Sequence, residues 1–169
     1  MKFLVRERLF DIGDDYWIED EEGRRIFLVD GKALRLRTTF VLKDAEGAQV
    51  AVIRAKALAV RDTMRVERDG HTVATVRKKL FSPFRDRLVV ELAEGGAWEV
   101  TGDLLGKEYA IGDAAGPVAQ VSRRWFRLRD TYAVDVNTFR TDAGGDPVLV
   151  LCVAVCVDAM TRGDDRGDD

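Results

Sequence analysis

Apolar and polar residues alternate with a period near two along most of this chain, and the short apolar runs are separated by acidic, glycine-containing breaks. An extended backbone sends successive side chains to opposite faces, so this period predicts strands rather than helices. In 41–54 (VLKDAEGAQVAVIR) a strand leads into a turn at 44–47, after which Val50, Val52 and Arg54 alternate with Ala51 and Ile53. The stretch 66–79 (VERDGHTVATVRKK) does the same around Asp69-Gly70, a pair suited to a tight hairpin turn at positive φ. Read in this way, the chain predicts twelve strands: 2–9, 15–19, 25–30, 36–42, 49–55, 63–68, 72–78, 87–93, 97–102, 107–112, 117–123 and 131–136.

The turn glycines Gly23, Gly47, Gly70, Gly96 and Gly116 lie 24, 23, 26 and 20 positions apart, which fits a loose repeat of two strands per unit. The motifs of solenoid and propeller arrays are missing, and many consecutive antiparallel hairpins must hide their edges, so a closed or nearly closed barrel is expected. Ser82-Pro83 reads as a loop between halves, because proline cannot donate to a central ladder.

The stretch 146–160 (DPVLVLCVAVCVDAM) carries two readings. Its five valines favour a strand. Asp146 followed by Pro147 instead offers an N-cap acceptor and a proline at the first helical position, and a helix apolar on every side must be buried on every side. The residues alone leave helix and strand both open.

Length and composition narrow the class. At 169 residues the chain predicts one domain with a core of its own, and 46% apolar with 34% charged residues exclude general disorder and a membrane-embedded protein. Lys and Arg number 27 against 30 Asp and Glu, for a net charge of −3, and the tail 162–169 holds four Asp against two Arg. The body is therefore nearly neutral, which argues against a generic nucleic-acid binder. Cys152 and Cys156 are too few for a disulfide framework and favour a reducing compartment. Arg6, Glu7 and Arg8 break any signal-peptide core, and the apolar run 147–157 is about half the roughly 20 residues needed to cross a bilayer, so a cytoplasmic protein without a transmembrane segment is expected.

Catalytic chemistry finds little support. The single histidine, His71, sits beside a turn, and no G-x-S-x-G elbow, Walker loop or H-E-x-x-H helix occurs. The adjacent acids Asp14-Asp15 and Asp20-Glu21-Glu22 read as solvated turn charges, and zinc would need more ligands than Cys152, Cys156 and His71 supply. No catalytic residue, metal or cofactor is expected. The feature that stands out is a repeated basic strand ending: Arg54 and Lys56, then Arg77, Lys78 and Lys79, then Arg123 and Arg124 before Trp125. With Phe81, Phe84 and Phe126 close by, these clusters fit an interfacial patch for an anionic membrane, and Lys78 and Arg123, or their neighbours, are placed to line up across the sheet. The plainer reading is that they prevent edge pairing while the aromatics cap the barrel.

Five stretches together, 2–11 (KFLVRERLFD), 17–31 (WIEDEEGRRIFLVDG), 101–111 (TGDLLGKEYAI), 121–134 (VSRRWFRLRDTYAV) and the closing apolar run 148–160, resemble the LURP-one-related family of Tubby C-terminal-like domains in its small bacterial form. The resemblance implies a mainly β fold, a twelve-stranded closed antiparallel barrel around a central buried hydrophobic C-terminal helix. It thereby makes 146–160 a helix, with Cys152 and Cys156 as small core fillers. It also implies one barrel domain over 1–161 followed by an acidic disordered tail, 162–169. Tubby domains bind phosphoinositides through basic barrel-surface residues, and phospholipid scramblases are proposed to share the fold. Scramblase-like members carry palmitoylated cysteine runs, whereas both cysteines here fall in the predicted core helix. The resulting expectation is a non-catalytic module at the inner membrane surface, binding anionic phospholipid through Arg77, Lys78, Lys79, Arg123 and Arg124 with help from Trp125. A scaffold for an unknown protein partner is the alternative, and an enzyme, which would need a deep polar pocket around His71, is a third.

Overall fold

The computed structural model describes residues 1–7, 15–34, 37–55, 63–79, 87–123 and 131–162. Twelve strands lie among them: β1 (Lys2–Glu7), β2 (Tyr16–Glu19), β3 (Arg25–Leu34), β4 (Arg37–Asp44), β5 (Gln49–Ala55), β6 (Thr63–Arg68), β7 (His71–Lys78), β8 (Leu88–Leu92), β9 (Ala97–Asp103), β10 (Glu108–Asp113), β11 (Gly116–Ser122) and β12 (Thr131–Val136). Each strand pairs antiparallel with its neighbours in sequence, and β1 pairs with β12 from Lys2 opposite Asp135 to Arg6 opposite Thr131, closing the barrel. Closure removes the unpaired edges that an open sheet would expose.

The strand positions follow the alternation closely, with one extension. The β3–β4 hairpin continues from Phe27 opposite Asp44 down to Leu34 opposite Arg37, so Asp30-Gly31, which reads locally as a break, lies inside a strand with Gly31 facing Phe40. Ladder hydrogen bonding overrides weak local punctuation. The serine and proline at 82–83 lie outside the described residues, and β7 and β8 on either side pair directly through five residue pairs, so the wall is continuous there.

The five turn glycines all have positive φ, from +78° to +126°. They close β2–β3, β4–β5, β6–β7, β8–β9 and β10–β11, so the 20-to-26-residue spacing is one trip down and up the wall, and it marks a single rim. At Asp69-Gly70 both residues are left-handed (φ +49° and +78°), the two-residue hairpin turn that matches strand twist.

The helix α1 (Pro147–Arg162) begins at this rim. Asp146 caps it, its Oδ1 accepting from the Val148 N–H at 3.0 Å while Pro147 takes the first helical position. Leu149 through Val157 are all between 0% and 5% exposed, and they meet the inward side chains of the wall, among them Ile18, Ile53, Trp98, Val100 and Tyr132. Burying each Val or Leu contributes about 1.5–3 kcal/mol, enough to hold a valine-rich segment helical against its own strand propensity. The helix therefore plugs the cylinder.

Candidate functional site

Because the wall is an up-and-down meander, its connections fall alternately at two rims. The rim where α1 begins carries short acidic turns: Asp20, Glu21 and Glu22, then Asp44 and Glu46, then Asp69, Glu94, Asp113, Asp142 and Asp146. Three of its arginines are bound by these acids. Arg24 pairs with Asp20 at 2.6 Å and Glu22 at 3.2 Å, and Arg68 pairs with the capping Asp146. Arg140 spans Asp113 (2.8 and 2.9 Å) and Asp142 (2.5 and 2.8 Å) and donates to the Gly116 carbonyl at 3.1 Å. Those guanidinium bonds hold the Asp142 carboxyl down at about 2 and lower that of Asp113. The clamp fastens the connection between β12 and α1 to the β10–β11 turn.

The opposite rim, where α1 ends, carries the basic strand endings. Arg77 points to the outer wall and is exposed, paired with Glu91 at 2.9 Å. Lys78, half-buried, is opposite Leu88 at the last rung of β7. Lys79 is exposed; its backbone N–H donates to the Arg87 carbonyl at 2.9 Å and its ammonium lies 3.5 Å from Glu99. Arg123 is half-buried at the end of β11, its N–H donating to Glu108 at 2.9 Å, and its Nε is buried without a hydrogen bond among the described residues. Arg124 and Trp125 lie outside the described residues, as do the aromatics at 81, 84 and 126. Lys78 and Arg123 share this rim, but β8, β9 and β10 stand between their strands, so they do not form a cross-strand pair. Glu91 on the adjacent β8 meets Arg77, and Glu99 on β9, one strand further, meets Lys79, which the basic runs alone did not indicate.

Two arrangements escape a reading of the residue pattern. Lys107, in the β9–β10 turn, is 5% exposed and forms an ion pair with Asp158 of α1, with its ammonium 5.4 Å from the centre of the Tyr132 ring. A buried cation beside a buried anion satisfies both, and Lys107 offsets an acid that sits unfavourably near a helix C-terminus. On the outer wall, Arg54 and Arg65 stand directly opposite one another. Both interactions join residues far apart in sequence, and no local spacing signals them.

The remaining chemistry is quiet. Cys152 and Cys156 are fully buried, and burial pushes the Cys152 thiol up to about 12 and that of Cys156 well above its ordinary value, so both stay protonated. His71 is exposed, its Nδ1 donating to the Asp69 carbonyl at 2.9 Å. Among the described residues no group of three or more His, Cys, Asp or Glu is placed to hold a metal, and no helix is long and apolar enough to cross a membrane. An open groove of about 610 Å³ on the outer wall is lined by Lys79, Val89, Glu99, Thr101 and Ala110, and a recess of about 170 Å³ lies by Arg68, Asp146 and Leu149. His71 lines neither.

Comparison with known proteins agrees with this geometry. The chain is 23% identical over 166 residues to the uncharacterized protein YxjI of Bacillus subtilis (strain 168), covering 98% of this chain and 96% of that one. Its fold resembles the X-ray structure of the Arabidopsis thaliana protein AT5G01750, with a TM-score of 0.68 and 20% identity over 95% of this chain and 91% of the other. The family model described as LURP-one-related matches residues 1–158. With the barrel, the plug and this match together, the chain belongs to the LURP-one-related family.

Proposed function

We propose that the protein is a non-catalytic module that docks its basic rim on anionic phospholipid, without inserting a helix. The observation that supports this best is the segregation of charge between the two rims. Lys78, Lys79 and Arg123 stand at the rim opposite the acidic turns. In the sequence, Arg123 is followed by Arg124, Trp125 and Phe126, and Lys79 by Phe81 and Phe84. Basic side chains interleaved with aromatics are the composition of an interfacial contact, and each cation near an anionic leaflet contributes about 1 kcal/mol. The opposite rim, rich in Asp and Glu, faces away from the membrane in this orientation. A plugged interior leaves the outer surface and the rims as the places to act. The cytoplasmic face of the inner membrane is the proposed location.

The test is co-sedimentation with vesicles holding 0 to 40% phosphatidylglycerol. Binding should rise with anionic lipid and fade as salt shortens the screening length. Replacing Lys78 and Lys79 with Gln should weaken binding roughly 30-fold, from about 1 kcal/mol each, with an unchanged melting temperature. Equal recovery in the supernatant at every composition would leave the protein-scaffold reading in its place.

A further inference from the structure

The plug does not fill its own end of the barrel. Where α1 begins, a recess of about 170 Å³ remains, floored by Leu149 and walled by Val73, Leu92, Ala93 and Ala143. Apolar cavities of roughly 150 Å³ accept a benzene ring, so this one has room for a leucine side chain. Arg68 at its edge is engaged by Asp146, Glu94 stands on the β8–β9 side, and the neighbouring turns add Asp69 and Asp142. An apolar hollow with an acidic collar thus opens at one end of the molecule.

The other end carries the matching shape. Leu105, in the β9–β10 turn, is 56% exposed, one of three large apolar side chains so exposed among the described residues. Its turn is fixed on both sides: the Gly106 N–H donates to Asp103 Oδ1 at 2.8 Å, and Lys107 is anchored in the core by Asp158. Leu104 is buried, so the chain turns one leucine inward and the next outward. A side chain held in place loses little freedom on contact, which favours binding. Lys78, Lys79 and Arg123 stand at the same rim and give this knob a basic collar.

We propose that Leu105 of one copy of this chain seats in the recess of a second copy, basic rim on acidic rim. The occupant is another copy because knob and hollow carry opposite collars, and complementary potentials fix partner and orientation. Knob and hollow lie at opposite ends of the barrel, so the contact is head-to-tail, does not close on itself and stacks barrels in a line. Contact confined to one rim belongs to the small, transient class of interfaces. The last copy in a stack keeps its basic rim uncovered, so stacking and membrane docking are compatible, and neither rests on the other.

Sedimentation of the full chain without lipid is the test. At low salt the weight-average mass should rise continuously with concentration above 18.9 kDa, and high salt should return it toward that value. Leu105→Ser removes the knob, and Ala93→Arg blocks the hollow with a cation; both positions are exposed, so melting temperatures should stay unchanged. Each variant alone should associate roughly tenfold more weakly than the wild type. An equimolar mixture of the two should form a complex of twice the monomer mass and nothing larger, because it unites one intact knob with one intact hollow. Misfolded variants could not complement each other in this way. A wild type that stays at the monomer mass at every concentration, a variant that associates as strongly as the wild type, or a mixture that stays monomeric would overturn the proposal and leave the vesicle experiment untouched.

Discussion

Lys107 adopts φ +58°, a left-handed conformation that usually selects glycine, and a glycine, Gly106, stands immediately before it. What holds lysine there is its side chain, which turns inward to Asp158. Replacing Lys107 with Met should cost about 3–5 kcal/mol in chemical denaturation, because Asp158 is left as a buried charge without its cation. The double variant with Asp158→Leu should recover most of the loss. If the single and double variants are equally unstable, the ion pair is not what holds the plug. Gly102 shows a second inward constraint: at φ +133°, a Cβ there would lie 2.6 Å from the Glu108 carbonyl and 2.8 Å from Tyr109 Cα. Neither residue announces its role in sequence, since each is defined by a neighbour on another element.

The strands were legible one by one because a half-buried strand writes its two faces into alternate residues. The helix was not, because a segment buried on all sides has no polar face from which to read a period. Its start was visible in Asp146-Pro147, and its burial came from the wall around it. Val153 is 0% exposed within α1. Val153→Asp should therefore prevent folding, since an unpaired charge in this interior costs several kcal/mol. A soluble Val153→Asp protein with a cooperative melt would show that the plug is not needed for the barrel.

Taken as a whole, the molecule has an electrical polarity that its net charge of −3 conceals. Hairpin alternation sends the acidic turns to one rim and the strand ends that carry Lys78, Lys79 and Arg123 to the other. The tail 164–169 holds four Asp and one Arg and leaves the described chain from the end of α1, at the basic rim. Truncation after Gly163 should therefore tighten binding to phosphatidylglycerol vesicles several-fold at low salt, with the difference vanishing at high salt and the melting temperature unchanged. Equal vesicle binding with and without the tail at low salt would mean that its charge does not act on this rim.

Strand number, hairpin order and the positions of the tight turns were settled by local chemistry, because alternation, positive-φ glycines and acidic breaks act within a few residues. The family's residue motifs led from there to the plugged barrel. Closure of the wall decided the rest. It separated Lys78 from Arg123 by three strands and brought glutamates to Arg77 and Lys79. It also set Arg54 against Arg65 and buried Lys107 against Asp158. Cross-strand register and inward packing join positions distant in the chain, and their energies depend on which neighbour arrives rather than on the residue itself.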